Sequence, residues 1–413
     1  MSPVRQQLLD LFLAGVEAVK GRTAVVHALE KDPCSDAVHC IAIGKAAASM
    51  LLGAHDVLGV GIQSTLLITK YGHVDEDIAH INHVEILEAA HPLPDENSLV
   101  AGQRLVEFIQ HTPPDSHLLF LISGGASALV EYPIEGVGLA ELKRLNTWLL
   151  GSGYDIQQMN QIRKGVSRIK GGRLAQFIGN RHARCLVISD VPGDRLSIIG
   201  SGLLIPDDQS QPLPGDLPPW VAAYLASSVA STPNDAPVWR QVRTKLVATL
   251  SRAIEAVQEA AQSQQLKVHY HGEFLSGDAG KAGTNVGETL LSAPTGLHVW
   301  GGETTSSLPE NPGRGGRNQH FALALASEIA GTQGISVLCA GTDGTDGPTN
   351  DAGGLVDGGT LERGTSCGLS WQDSLAQFDS GRFLEATGDL VTTGPTGTNV
   401  MDLVLALKNE PSA

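Results

Sequence analysis

Short apolar runs recur along this chain at residues 38–43, 65–69, 118–122, 185–189, 297–300 and 336–340, each followed by a glycine or turn and then a helical pattern. This alternation of strand-like and helix-like segments predicts a mostly parallel sheet with helices on both faces. Ligands in such folds gather at the carboxyl ends of the strands, and most of the glycine motifs here lie at those ends. A length of 413 residues exceeds what one hydrophobic core supports, so two domains are expected. Residues 206–237 hold seven of the 21 prolines and mark the boundary, giving domains over 1–235 and 236–413. The stretch 239–265 after it reads as one long amphipathic helix.

The balance of charge narrows the partners. Forty-four Asp and Glu face 28 Lys and Arg, and the net charge of -16 argues against binding to nucleic acid or an anionic membrane. An anionic substrate then needs basic residues gathered locally, and Arg163, Lys164, Arg168, Lys170 and Arg173 fall in one short segment. The five cysteines form no CxxC pair, and the 14 histidines show no HExxH spacing, so neither a disulfide framework nor a zinc site is indicated. Residues 1–21 carry apolar positions at helical spacing interrupted by charges, the pattern of a docking helix and not of a signal peptide. No apolar run approaches a membrane span, and a cytoplasmic location is expected.

Several motifs suggest a site for a phosphorylated ligand. Gly44-Lys45 follows the run 38–43; a lysine at a helix start opposes the macrodipole unless an anion sits there, and by itself it reads equally as a solvated surface lysine. Ser123-Gly124-Gly125-Ala126 has the same strand, turn and helix form; it reads equally as an anion cradle or a plain tight turn. On a helix, Arg163, Ser167 and Lys170 would share one face, with Lys164 beside it. Asp190 follows the run 185–189, and Asp343 and Asp346 follow the run 336–340, where a carboxylate can hold magnesium or accept a hydroxyl proton. Gly301-Gly302-Glu303 and Gly316-Arg317-Asn318 add backbone amides and a guanidinium fork.

The stretches AIGKAA, TKYGH, AAHPLPDENS, LISGGASAL, MNQIRKGVSRIKGGRLA, LVISDVPGD, WGGETT, GRGGRNQ, AGTDGTDGPT and TGPTGTNVMDL run from Ile41 to Leu403. In that order they resemble the type 2 glycerate kinases, whose C-terminal part is the multi-organism fragment with rich leucine domain. The resemblance implies an α/β fold of two domains, an N-terminal Rossmann-like parallel sheet with helices on both faces and a second α/β domain, with the active site in the cleft between them. It also implies ATP- and Mg2+-dependent phosphorylation of D-glycerate, most typically to 2-phosphoglycerate, with D-glycerate and ATP as partners. The family's functional lysine falls on Lys45, its arginine on Arg317, and its site aspartates on Asp190 and Asp343. Arg195, Leu203, Leu204 and His320 depart from the family's usual residues.

On this reading Lys45 and Arg317 face the sugar acid and the γ-phosphate, one gripping carboxylate and the other stabilising developing charge. Asp190 is the preferred base and Asp343 the preferred metal ligand, although the two could exchange roles. A hydroxypyruvate or tartronate reductase is the alternative enzyme, but it needs a G-x-G-x-x-G fingerprint that the chain lacks. A non-catalytic sugar-acid binding protein is the other alternative. The sequence leaves the oligomeric state open, a homodimer being one option.

Overall fold

Val38–Ile43 forms strand β1, and its residues Cys40, Ile41, Ala42 and Ile43 are all fully buried, as suits a strand covered on both faces. Five more strands join it in parallel: β2 (Ile62–Lys70), β3 (Val84–Ala89), β4 (His117–Ile122), β5 (His182–Ile188) and β6 (Val242–Ala248). Their spatial order is β3-β2-β1-β4-β5-β6. The chain therefore runs outward from β1 to β3, crosses back, and runs outward again from β4 to β6. The order reverses between β1 and β4, and such a switch point opens a crevice at the carboxyl ends of the strands. Ile41, Ile43, Leu66, Ile68, Phe120 and Ile122 share one core with Leu105 and Ile109 of the helix Glu96–His111. That helix begins at Asp95, whose side chain and that of Ser98 form a reciprocal capping box.

A second sheet has the order β11-β10-β9-β12-β8-β7. Its strands are β7 (Val268–Tyr270), β8 (Gly296–Gly302), β9 (Ile335–Gly341), β10 (Gly353–Asp357), β11 (Leu390–Val391) and β12 (Asp402–Lys408). Here the expectation of a mostly parallel sheet fails. Strand β12 runs antiparallel to both β8 and β9, and β10 antiparallel to β9 and β11. One consequence is chemical: Asp402, the first residue of β12, aligns with Gly302 and Gly341, the last residues of β8 and β9.

The computed structural model describes residues 2–34, 37–154, 156–207, 213 and 215–410. It divides into one unit of Lys20–Ala248 and another of Met1–Val19 with Thr249–Ala413. This differs from the expected division at 235/236 in two ways. Residues 242–248 alternate in character and pair with β5 as an edge strand, so the stretch 239–265 is not one helix; Thr249 caps a separate helix, Leu250–Ser263. The N-terminal helix Pro3–Ala18 docks on that helix, so closely that a Cβ at Gly15 would lie 2.7 Å from Val257 Cγ2. No helix among the described residues is long and apolar enough to cross a membrane.

Candidate active site

In the N-terminal unit the switch point is tied together by backbone. Gly44 follows β1 with a φ of +129°, and a Cβ there would lie 2.2 Å from Ser123 Oγ, so glycine alone permits the two strand ends to meet. Lys45 N–H donates to the Gly124 carbonyl at 2.9 Å, Ser123 N–H to the Ile43 carbonyl at 3.0 Å, and Ala46 N–H to Ser123 Oγ at 3.0 Å. These bonds fix the start of the Lys45 side chain at the crevice mouth, where the residue is half-buried. The turn 123–126 continues with Gly125 at φ +85°; a Cβ built there would meet Lys45 Cγ at 3.2 Å and His91 Cδ2 at 3.1 Å. The loop after β3 thus carries His91 from the sheet's edge to the same point. Sequence reasoning gave His91 no role, and the proline-flanked His-Pro-Leu-Pro segment was the only signal. Asp190 follows β5 at the same carboxyl end of the sheet, half-buried like Lys45.

The basic segment behaves differently from expectation. Its helix, Ile156–Gly165, stops before Ser167, so Arg163, Ser167 and Lys170 share no helical face. Its charges are engaged internally instead. Lys170 is buried in an ion pair with Glu131, and Lys164 pairs with Asp207 at 2.7 Å. Arg163 donates to Asn146 Oδ1 at 2.9 Å, and burial lowers its pKa from the usual arginine value. Arg173 donates to the carbonyls of Val229, Lys164 and Lys170, and Arg168 lies over the Tyr132 ring. A surplus of basic residues in sequence is here mostly a set of structural pairs.

In the C-terminal unit the centre is Arg317, the first residue of the helix Arg317–Glu328. Its guanidinium grips Asp402 with both forks, Nε to Oδ2 at 2.6 Å and Nη2 to Oδ1 at 2.9 Å. Glu303, just past β8, takes Nη1 at 3.0 Å. Burial opposes the charge on Arg317, but these carboxylates outweigh it and hold its pKa above the ordinary arginine value. Asp402 is nearly enclosed, whereas about a third of Arg317 stays exposed: relative accessibilities are 7% and 32%. The result is a permanently charged, oriented guanidinium with a free flank.

Asp343 lies beside this pair. Its Oδ1 accepts from Thr345 N–H at 3.0 Å and Thr345 Oγ1 at 3.1 Å, and a Cβ at Gly341 would lie 3.3 Å from it and 3.4 Å from Asp402 Oδ1. Asp346 has another task. It is buried and accepts the amides of Asn318 at 3.0 Å and Gln319 at 2.8 Å, capping the Arg317 helix. Burial pushes its carboxyl up to about 7, although the two amides pull the other way. Gly316 must be glycine because a Cβ would lie 2.3 Å from Asp346 Cγ. The amide of Asn318 therefore serves the cap rather than a phosphate.

Gly301 and Gly302 likewise fall inside β8, paired with Leu403 and Asp402. A Cβ at Gly301 would meet Ile254 and Leu250 at 2.9 Å, and one at Gly302 the Leu275 carbonyl at 2.2 Å. Their glycine character answers to close packing. Of the departures from the family pattern, Leu203 and Leu204 are core residues, Arg195 is exposed, and His320 stacks on Phe378 with ring centroids 4.3 Å apart. Among the described residues no cluster of three or more His, Cys, Asp or Glu side chains is arranged to hold a metal ion.

Comparison with known proteins gives this arrangement a context. Residues 7–213 match a domain of unknown function, DUF4147, and residues 296–402 match the MOFRL family. The chain is 35% identical to a D-glycerate 2-kinase of Thermotoga maritima, with 98% of each chain covered. A relative from Agrobacterium vitis that carries a provisional hydroxypyruvate reductase name is 37% identical over 88% of this chain and 98% of its own. The crystal structure of a Thermotoga maritima glycerate kinase superposes with a TM-score of 0.85 at 33% identity, covering 98% of this chain and 99% of that one.

Proposed function

The chain belongs to the glycerate kinase family that joins the DUF4147 and MOFRL domains, and from that premise we propose that it is an ATP-dependent kinase that phosphorylates D-glycerate to 2-phosphoglycerate. One observation carries the reading to residues. Of the two cations that the family resemblance singles out, Lys45 is anchored through its backbone at the carboxyl end of β1, and Arg317, at a helix start, has its guanidinium oriented by Asp402. Phosphoryl transfer depends mainly on positioning and on compensating charge spread over the transferred group. A backbone-anchored lysine and an oriented guanidinium suit that task better than mobile surface charges do.

Arg317 keeps its charge at every physiological pH and offers its exposed flank to carboxylate or phosphate oxygen. Lys45 supplies a compact point charge, with His91 beside it as a further hydrogen-bonding group. Asp190 takes the proton of the attacking hydroxyl in this scheme. The turn 123–126 provides Ser123 and the amides of Gly124 and Gly125 next to Lys45. Arg163 and Lys164 act as supports through their internal partners.

Magnesium, when bound, would neutralise phosphate charge. Its donor chemistry fits Asp343, a half-buried carboxylate at a strand's end, and magnesium needs only one or two protein carboxylates when phosphates supply other oxygens. Asp190 is the second candidate ligand. The proposal includes a cytoplasmic setting, which agrees with five cysteines that all remain free. Small molecules are the partners, and the net charge of -16 disfavours nucleic acid.

The direct test is ADP release from ATP, magnesium and D-glycerate, with NADH and hydroxypyruvate supplied in a parallel reaction. Glycerate-dependent ADP release is expected, falling by ~10²–10⁴ in turnover for Lys45→Ala, the scale of an oriented charge at a phosphoryl site. NADH oxidation without ADP release would overturn the reading in favour of a reductase. Near-normal turnover in folded Lys45→Ala would remove Lys45 from the site.

A further inference from the structure

We propose that the N-terminal unit carries a second anion site, for a small phosphorylated ligand, at the end of the sheet away from Lys45. A cavity of about 590 Å³ opens there, lined by the first residues of β1, β4 and β5, by β6 and by the chain following the helix Gly21–Lys31. That volume falls within the range of small-molecule pockets. Strands of six residues separate the two ends of the sheet by roughly 20 Å, so this cavity and the Lys45 crevice are distinct.

Its lining is basic in a strongly acidic protein. Arg184, Arg240, Arg243 and Lys245 line it, and His117 and His182, stacked with centroids 5.2 Å apart, add two exposed imidazoles. One acid, Asp32, is present, and it is already matched. Arg184 pairs with Asp32 at 3.1 Å and donates to the carbonyls of Ala28 and Asp32, neutralising the negative end of the helix Gly21–Lys31. Arg240, Arg243 and Lys245 make no ion pair among the described residues, which leaves three positive charges around one concavity. A wall of uncompensated cations with imidazole donors selects phosphate groups.

A simpler cause exists for part of this. β6 is an edge strand, and charged side chains discourage edge-to-edge pairing. That accounts for Arg243 and Lys245 alone. It does not explain Arg240, which precedes the strand in the turn Pro237–Arg240, or the two histidines contributed by β4 and β5.

The inference stands apart from the proposed reaction, and one titration separates them. Inorganic pyrophosphate is titrated calorimetrically into the full chain, into Lys45→Ala, and into a variant combining Arg240→Gln, Arg243→Gln and Lys245→Gln. The three substituted residues are exposed, and melting curves check that the variant folds; Arg243→Gln alone serves if it does not. A binding event retained in Lys45→Ala and weakened roughly ten- to a hundredfold in the triple variant is expected, the sum of three exposed charge contacts. Unchanged affinity in the triple variant, or loss of all binding in Lys45→Ala, would overturn the proposal. Repeating the titration with ADP and with orthophosphate distinguishes a nucleotide from free phosphate as the source of the phosphate group.

Discussion

Arg317 is surrounded as few surface charges are, with Asp402 on two of its nitrogens and Glu303 on a third. The pair with Asp402 does more than hold two charges together, because its bidentate geometry fixes the plane of the guanidinium. Asp402→Asn should therefore leave the protein folded but release that plane. We expect kcat/KM to fall about ten- to a hundredfold, the cost of misplacing a group that the proposed reaction aligns with the transferred phosphoryl. A steady-state assay beside a melting curve checks this, and an unchanged kcat/KM would show that Glu303 suffices. Lys45 was legible in the sequence because it abuts glycine at the end of an apolar run, and Arg317 through the family resemblance carried by its Gly-Gly-Arg-Asn-Gln stretch. Asp402 was not, for it stands 85 residues from Arg317 and simply begins an apolar strand. Only the antiparallel insertion of β12 between β8 and β9 makes that position a neighbour of the site.

Elements show where local pattern and tertiary context diverge. The apolar runs became strands as expected, since a strand buried on both faces announces itself by composition. The direction of β12 left no such trace, because pairing direction is set by distant segments. The basic helix stopped early at Gly165, and its cations found buried partners that no spacing rule would pair. The edge of the second sheet offers a pH test. His269, His298, His271 and Trp300 stack in a column across β7 and β8, with His271 and Trp300 centroids 4.0 Å apart. His298 Nε2 faces the Pro294 carbonyl at 2.8 Å, so it must carry the proton; Nδ1 then accepts from His271 Nε2 at 3.0 Å.

This arrangement requires a neutral His298. Burial lowers the pKa of both His271 and His298 below the ordinary 6.5, the neighbouring imidazoles add to the effect, and Lys408 adds further at His298. Glu273 pulls His271 the other way, and at His298 the bond to the Pro294 carbonyl does the same. A depressed folded-state pKa means that the column stabilises the fold fully above pH 6.5 and loses that contribution as pH falls through the lower, folded values. Thermal melting of the wild type should decline over this acid limb. His271→Phe, which keeps a ring on Trp300 but cannot take up a proton, should decline less steeply. Parallel slopes in the two proteins would place the acid sensitivity elsewhere.

At the scale of the whole molecule, the chain starts in one unit, builds the other, and returns. The helix Pro3–Ala18 belongs with the C-terminal sheet, a pairing hidden from the sequence because the shape of Gly15 against Val257 carries no local signature. The proposed reaction draws on Lys45, His91 and Asp190 in one unit and on Arg317 and Asp343 in the other. Substitutions in either unit should thus impair the same reaction. If magnesium enters on the nucleotide phosphates, as proposed, chelation by EDTA should abolish turnover reversibly while leaving the melting temperature unchanged. A fall in melting temperature on chelation would instead indicate a resident structural ion.

Phosphorus NMR of the product formed from ATP, magnesium and D-glycerate addresses the proposed reaction most directly. A glycerate-dependent resonance of 2-phosphoglycerate is predicted, appearing with ADP and absent with Lys45→Ala. Formation of 3-phosphoglycerate alone, or no phosphoester at all from folded wild-type protein, would contradict it.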